Sequence, residues 1–153
     1  MKLSKKCEYA LRALACLGSP RTSRVLSIQA IALQERIPKK FLEQVLLALK
    51  KAGIVQSTRG KVGGYVLGVA PAGVTLGDIV RAMDGPLAPL ACASHTAPMK
   101  CAGCLSMEHC WLRAMMTEVG DALDNVLNQT TLATICRRAA ESQRGAQVPM
   151  YHI

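Results

Sequence analysis

The run Pro38-Lys39-Lys40-Phe41-Leu42-Glu43-Gln44-Val45-Leu46-Leu47-Ala48-Leu49-Lys50-Lys51 decides the fold. Leu42, Val45, Leu46 and Leu49 stand at i, i+3, i+4 and i+7, one stripe of an amphipathic helix, and Gly53 just beyond is a helix stop. The other face displays Lys39, Lys40, Glu43, Gln44, Lys50 and Lys51. Upstream, Ser27 suits the N-cap of a short helix, Ile28 to Gln34, with Ile28, Ile31 and Ala32 turned inward. Ile37-Pro38 then reads as a turn with Pro38 at the first helical position. A short helix, a tight turn and a second helix with a polar, basic outer face predict a helix-turn-helix.

Further upstream, Tyr9 to Leu17 carries an apolar stripe at Ala10, Ala13, Leu14 and Leu17, and Gly18-Ser19-Pro20 stops it. Downstream, Ile54 to Thr58 and Tyr65 to Leu67 are two β-prone runs joined by Arg59-Gly60-Lys61-Val62-Gly63-Gly64. This is the pattern of a hairpin wing. The glycines Gly60, Gly63 and Gly64 let the tip approach a phosphate backbone while Arg59 and Lys61 supply charge.

Charge agrees with that reading. Residues 1–65 hold 13 Lys and Arg against three carboxylates, a net of +10, whereas residues 66–153 hold six against seven, a net of −1. The excess sits where a polyanion would be met, so double-stranded DNA is the expected partner. Aromatic residues make up 3% of the chain and aliphatic ones abound, which favours helix on helix. The expected fold is therefore mainly α with a small β-hairpin. No run is long and apolar enough for a membrane span or a signal core, so the chain is expected to be cytoplasmic. Seven cysteines in a reducing compartment point to metal or thiol chemistry rather than a disulfide framework.

Thr75 and Asp78 are spaced as a capping box for a helix to Met83, with Leu76, Ile79, Val80 and Met83 on one face and Gly85-Pro86 at its end. From Leu87 to about Glu108 periodicity disappears, and a stretch of that length needs a function or a ligand to organise it. A long amphipathic helix follows from about His109 to Asn128, with Leu112, Met115, Met116, Val119, Leu123, Val126 and Leu127 as its stripe. Such a stripe must be covered. Reading a palindromic operator favours a two-fold dimer, so this helix is assigned to a homodimer interface. Thr130 or Thr131 caps a last helix carrying Leu132, Ile135, Cys136 and Ala139, and a frayed polar tail is expected from Ser142. The expected organisation is a winged helix-turn-helix over 1–87, a cysteine-rich loop over 88–108, dimerisation and C-terminal helices over 109–142 and a flexible tail over 143–153.

Cys92-x8-Cys101-x2-Cys104-x5-Cys110, with His95 and His109 nearby, gathers soft donors in a segment without a core of its own. Metal–thiolate bonds can replace that missing packing. Zinc and an iron–sulfur cluster both remain open on spacing, since only Cys101-x2-Cys104 has the zinc-knuckle separation. Cys7, Cys16 and Cys136 fall on helical segments and are read as small buried hydrophobes, and Trp111, Met115 and Met116 as packing. A thioredoxin-like use of Cys101-x2-Cys104 would belong near a βαβ pattern, which is lacking, and a simple electron carrier leaves the basic segment unexplained. No enzymatic activity is expected.

Met1-Lys2-Leu3-Ser4, Glu8-Tyr9-Ala10-Leu11, Phe41-Leu42-Glu43-Gln44, Arg59-Gly60-Lys61-Val62-Gly63-Gly64-Tyr65 and Thr131-Leu132-Ala133 together resemble the IscR/NsrR/RirA family of winged-helix regulators, also called Rrf-two. The resemblance covers roughly residues 1–140. It implies a dimeric repressor or activator whose loop binds an iron–sulfur cluster, expected as 2Fe-2S, through three cysteines. The fourth ligand varies between members, and in some it comes from the partner's first helix. The commonest loop of that family has five residues between successive cysteines. Cys104-x5-Cys110 fits the second and third, Cys92 fits the first across a larger gap, and Cys101 is extra. Either Cys101 completes an all-thiolate set, or Cys92, Cys104 and Cys110 bind while Glu8, His95 or His109 completes it. Glu8 matches the position from which some members supply the cross-subunit ligand.

Overall fold

The structure, a computed structural model, describes residues 2–19, 25–60 and 63–145. Six helices and one hairpin follow in the order α1 (Lys5–Leu17), α2 (Ile28–Glu35), α3 (Lys39–Lys51), β1 (Val55–Thr58), β2 (Gly64–Leu67), α4 (Leu76–Asp84), α5 (Trp111–Gln129) and α6 (Leu132–Gly145). The mainly α architecture with one two-stranded antiparallel sheet is the one the sequence predicts.

Helix α1 begins one turn earlier than its apolar stripe suggests. Ser4 caps it, accepting from the Cys7 N–H at 3.1 Å, and Ser4 also donates from its own N–H to Asp84 Oδ2 at 2.9 Å. The chain start is thereby tied to the end of α4. In α2 the Ser27 hydroxyl accepts from Ala30 N–H at 3.1 Å, as expected of an N-cap. The turn into α3 is made by Arg36, left-handed at φ 50°, with Ile37 N–H returning to Ala32 O at 2.9 Å. Pro38 caps α3 instead of occupying its first turn. Its preset φ serves either role.

Leu42, Val45, Leu46 and Leu49 are all fully buried, as their spacing requires. The α3 end closes with Gly53 at φ 74° while Ile54 N–H reaches Leu49 O and Gly53 N–H reaches Lys50 O, both at 3.0 Å. The core lies between α1, α3 and α4, with Leu14, Ile31, Ile79 and Val80 at its centre. The α4 capping box is complete: the Asp78 N–H donates to Thr75 Oγ1 at 3.1 Å and the Thr75 N–H to Asp78 Oδ2 at 2.9 Å.

Helix α6 returns to pack on α1, placing Leu132 and Cys136 in the same core. It continues as helix to Gly145, so Ser142 is still helical where fraying was expected, and residues 146–153 lie outside the described ones. Cys7 and Cys16 are buried too, and burial, with the Asp84 and Glu35 charges adding, pushes both thiols up to about 11. Burial raises Cys136 as well. Protonated thiols of this kind pack as hydrophobes, as the sequence suggests.

Helix α5 is different. Among its nineteen residues only Gly120 is fully buried. Its C-terminal half is bound to α4: Arg81 donates from Nη2 to Asn128 Oδ1 at 2.8 Å and from Nη1 to Asp124 Oδ1 at 3.3 Å. Leu76 N–H donates to Thr130 O at 2.7 Å and Leu132 N–H to Val74 O at 2.8 Å, completing the join. Its N-terminal half carries the cysteine loop. Among the described residues no helix is long and apolar enough to cross a membrane.

Candidate functional site

Two sets of residues carry the expected chemistry. On α3, Lys39, Lys40, Glu43, Gln44, Lys50 and Lys51 are all exposed, opposite the buried stripe. The wing is joined to this helix at its root, where Lys50 Nζ donates to Ser57 Oγ at 2.6 Å. β1 and β2 pair in the register Val55 with Leu67 through Thr58 with Gly64. Leu26 adds a short third edge, exchanging bonds with Tyr65 at 2.8 and 3.1 Å.

Two tip glycines are required by space. A Cβ on Gly63 would lie 2.8 Å from Thr58 O and 2.9 Å from Gly60 O, and one on Gly64 would overlap the Leu26 backbone. Gly60 takes φ 126°, which side chains disfavour. Arg59 is exposed at the tip, and Lys61 lies outside the described residues.

The second set is the loop between α4 and α5. Cys92, Cys101, Cys104 and Cys110 line one cavity of about 180 Å³, walled by Leu90, Met107 and Leu112 and bounded by Arg113. Local structure brings the four together. Cys92 lies in a short helical turn, Ala91–Ala93, that packs on α5 and buries it. Cys101 and Cys104 stand at the two ends of a turn closed by Cys104 N–H to Cys101 O at 3.1 Å, with Gly103 left-handed at φ 77°. Cys110 stands at the N-cap position of α5.

The Cys92 thiol, as hydrogen-bond partner, raises the Cys101 pKa, and the charges of Cys92, Cys104 and Cys110 add to it. Cys101 thus lies within electrostatic reach of the other three. Among the described residues, however, no three donors converge tightly enough to hold a metal ion. The thiols are gathered around a shared space rather than closed on a point, and closing on a metal calls for the exposed Cys101 and half-buried Cys104 and Cys110 to draw inward. As a donor set, four soft thiolates suit an iron–sulfur cluster or zinc.

Glu8, His95 and His109 do not line this cavity. Glu8 is partly exposed on α1, paired with Lys5 at 2.7 Å, and that pairing lowers its pKa. His95 Nε2 meets Asp121 Oδ1 at 2.6 Å, and His109 Nδ1 meets Ser106 Oγ at 3.2 Å. Sequence reasoning missed Arg113. Its Nε donates to Cys92 O and its Nη1 to Met107 O, so one side chain holds both limbs of the loop. A single arginine following Cys110 among apolar residues was the available signal.

Comparison with known proteins identifies the family. Residues 3–138 match the family model described as "Rrf2: Iron-dependent Transcriptional regulator". An rrf2-like HTH-type transcriptional regulator of Rhodobacter capsulatus is 42% identical over 120 residues, covering 76% of this chain and 80% of its own length. The structure of CymR, described as the global cysteine regulator of B. subtilis, superposes with a TM-score of 0.71 at 30% identity, covering 90% of this chain and 98% of that one. IscR of T. potens superposes with a TM-score of 0.70 at 25% identity, covering 99% and 97%. These relatives are transcriptional regulators and not enzymes, and the chain belongs to the Rrf2 family of transcriptional regulators.

Proposed function

We propose that this regulator binds a palindromic operator as a homodimer and that an iron–sulfur cluster, held in the cysteine loop, governs that binding. The observation that carries the reading is the cavity shared by Cys92, Cys101, Cys104 and Cys110. A cluster held there would supply redox and ligand-exchange chemistry. The chain's own residues supply the connection. Arg113 fixes the loop on the first turn of α5, and Arg81 fixes the last turns of α5 to α4. Helix α5 thus joins the thiol cavity to the winged domain as one continuous helix.

The exposed stripe of α5 is the surface offered for dimerisation. Val119 is 45% and Val126 63% exposed, beside Trp111, Leu112 and Met115. Pairing through this helix would set the spacing of two recognition helices, and a change in the loop would alter that spacing. Since Glu8 does not line its own chain's cavity, a ligand role for it would have to be met across the dimer.

A second reading keeps the DNA and replaces the cluster with zinc or with a Cys92–Cys101 disulfide. The disulfide is favoured by the cavity that both thiols line. Anaerobic purification followed by a visible spectrum, iron and sulfide analysis and operator titration separates them. A coloured protein with stoichiometric iron and sulfide, whose affinity changes on chelation, supports the cluster. A colourless protein with bound zinc, or none with a redox-dependent affinity, supports the second reading.

A further inference from the structure

One residue on the outer face of α3 is accounted for by neither the core nor the charge. Leu47 is 54% exposed and is absent from the residues packed against the core, unlike its neighbour Ala48. At about 100° per residue, it projects between Glu43 and Gln44, on the side of the helix away from the stripe of Leu42, Val45, Leu46 and Leu49. Lys40 and Lys51 stand on the same face, one towards each end. Leu47 is therefore the apolar centre of a surface whose periphery is basic.

That combination selects its partner. A protein surface would meet four lysines here, Lys39, Lys40, Lys50 and Lys51, and lysine is depleted from protein interface cores. A DNA duplex meets them with phosphates, and at the centre of the major groove it offers one apolar group, the C5 methyl of thymine. We propose that Leu47 is a specificity-determining residue that reads a thymine methyl in the operator half-site. The inference rests on the DNA-binding reading and adds a base identity to it. Glu43 and Gln44, on either side, have the acceptor and amide chemistry to meet cytosine or adenine edges, so a leucine between them extends the readout to a base those groups cannot distinguish by its methyl.

The test uses the full-length dimer and a duplex selected by that protein from a random library. Each thymine of the selected half-site is replaced in turn by deoxyuridine, which removes only the methyl. Wild-type protein should bind one such duplex more weakly by about fourfold per contacted methyl, the factor that corresponds to about 0.8 kcal/mol for one buried carbon. Leu47→Ala should bind the thymine duplex as weakly as wild type binds the uracil one, and should not distinguish the two. Because Leu47 is half exposed, that variant should keep the wild-type melting temperature. Indifference of wild type to every replacement overturns the proposal, as does a Leu47→Ala variant that still discriminates thymine from uracil. Failure to enrich any duplex would overturn the DNA-binding reading itself, a result distinct from both.

Discussion

Arg113 Nε donates to the carbonyl oxygen of Cys92 at 2.8 Å, across the 21 positions that separate them in the chain. The same guanidinium donates from Nη1 to Met107 O at 3.1 Å, so the loop is held at both limbs from the first turn of α5. Lysine cannot reproduce two donors in a fixed fork. If the loop holds a metal as proposed, Arg113→Lys and Arg113→Gln should lower its affinity by about 10- to 100-fold, the usual cost of losing an outer support. Metal titration measures this, and limited proteolysis should cut between Cys92 and Cys110 faster than in wild type. Unchanged affinity and unchanged cleavage would show that the loop is ordered without Arg113.

The capping box of α4 has a pH signature. Hydrogen bonds from the Thr75 hydroxyl and N–H, then the Arg81 guanidinium, hold the Asp78 carboxyl below its ordinary value of 3.8. A carboxyl whose folded pKa is depressed stabilises the fold fully above its unfolded pKa, and that stability is lost as pH falls through the folded value. Asp78→Ala should cost about 1 kcal/mol at neutral pH, as lost caps do. The gap between variant and wild type should narrow as the pH drops below about 3.9. Denaturant titrations at a series of pH values give the gap directly, and one that widens in acid would contradict the assigned sign.

How far the sequence could be read depended on whether a residue's role is local. The stripe of α3, the Ser27 cap and the Thr75–Asp78 box are set by neighbours within four positions, and each is found where the spacing puts it. The wing glycines were legible for the same reason. Arg36 was less so, because its left-handed turn reflects how α2 must meet α3 rather than its own preference. In the loop, the cysteines announced themselves by type and density. Arg113 did not, since its partners are two backbone carbonyls far away in sequence. The return of α6 to the α1 core was hidden likewise: Leu132 and Cys136 look like any apolar stripe until α1 is beside them.

The α5 stripe yields a clean test of assembly. Val119 is 45% exposed in the single chain, so a charge there costs the isolated fold little. In a two-fold interface the same charge would be buried beside its own copy, at a cost of several kcal/mol. Val119→Glu should thus be a folded monomer by light scattering, with operator affinity greatly reduced. A dimer that persists would assign the interface to another surface.

Arg59 and the basic face of α3 should make binding strongly salt-dependent. With six or so phosphates neutralised, log K should fall against log[salt] with a slope of roughly −5, at about 0.9 per phosphate. Arg59→Ala should make that slope shallower by about 2 if one wing tip per subunit touches a phosphate. Changes at Glu43 or Gln44 should instead redistribute preference among sequences. A slope near zero, or equal losses on all sequences for every change, would contradict this division of roles.

The ligand set of the loop is decided by four serine variants. Cys92 is buried in its turn against α5, while Cys104 and Cys110 are half-buried where they line the cavity. Serine at any of these three removes a donor that lines the cavity, and each variant should lose the visible chromophore. Each should also shift operator affinity by about tenfold, or about 1.4 kcal/mol, an ordinary coupling energy between two sites. Cys101 is exposed and must draw inward to ligate. If Cys101→Ser loses the chromophore as well, the set is four thiolates. If it keeps the chromophore, the fourth ligand is an oxygen or nitrogen donor, and because neither His95, His109 nor Glu8 lines the cavity of its own chain, Glu8→Gln in the Cys101→Ser background then tests the cross-subunit donor. Cys7→Ser, Cys16→Ser and Cys136→Ser serve as the contrast, since those thiols are packed in the core: they should lower the melting temperature and leave the spectrum unchanged. Should all four loop variants keep both chromophore and DNA affinity, the loop would not be the sensor, even with the winged helix intact.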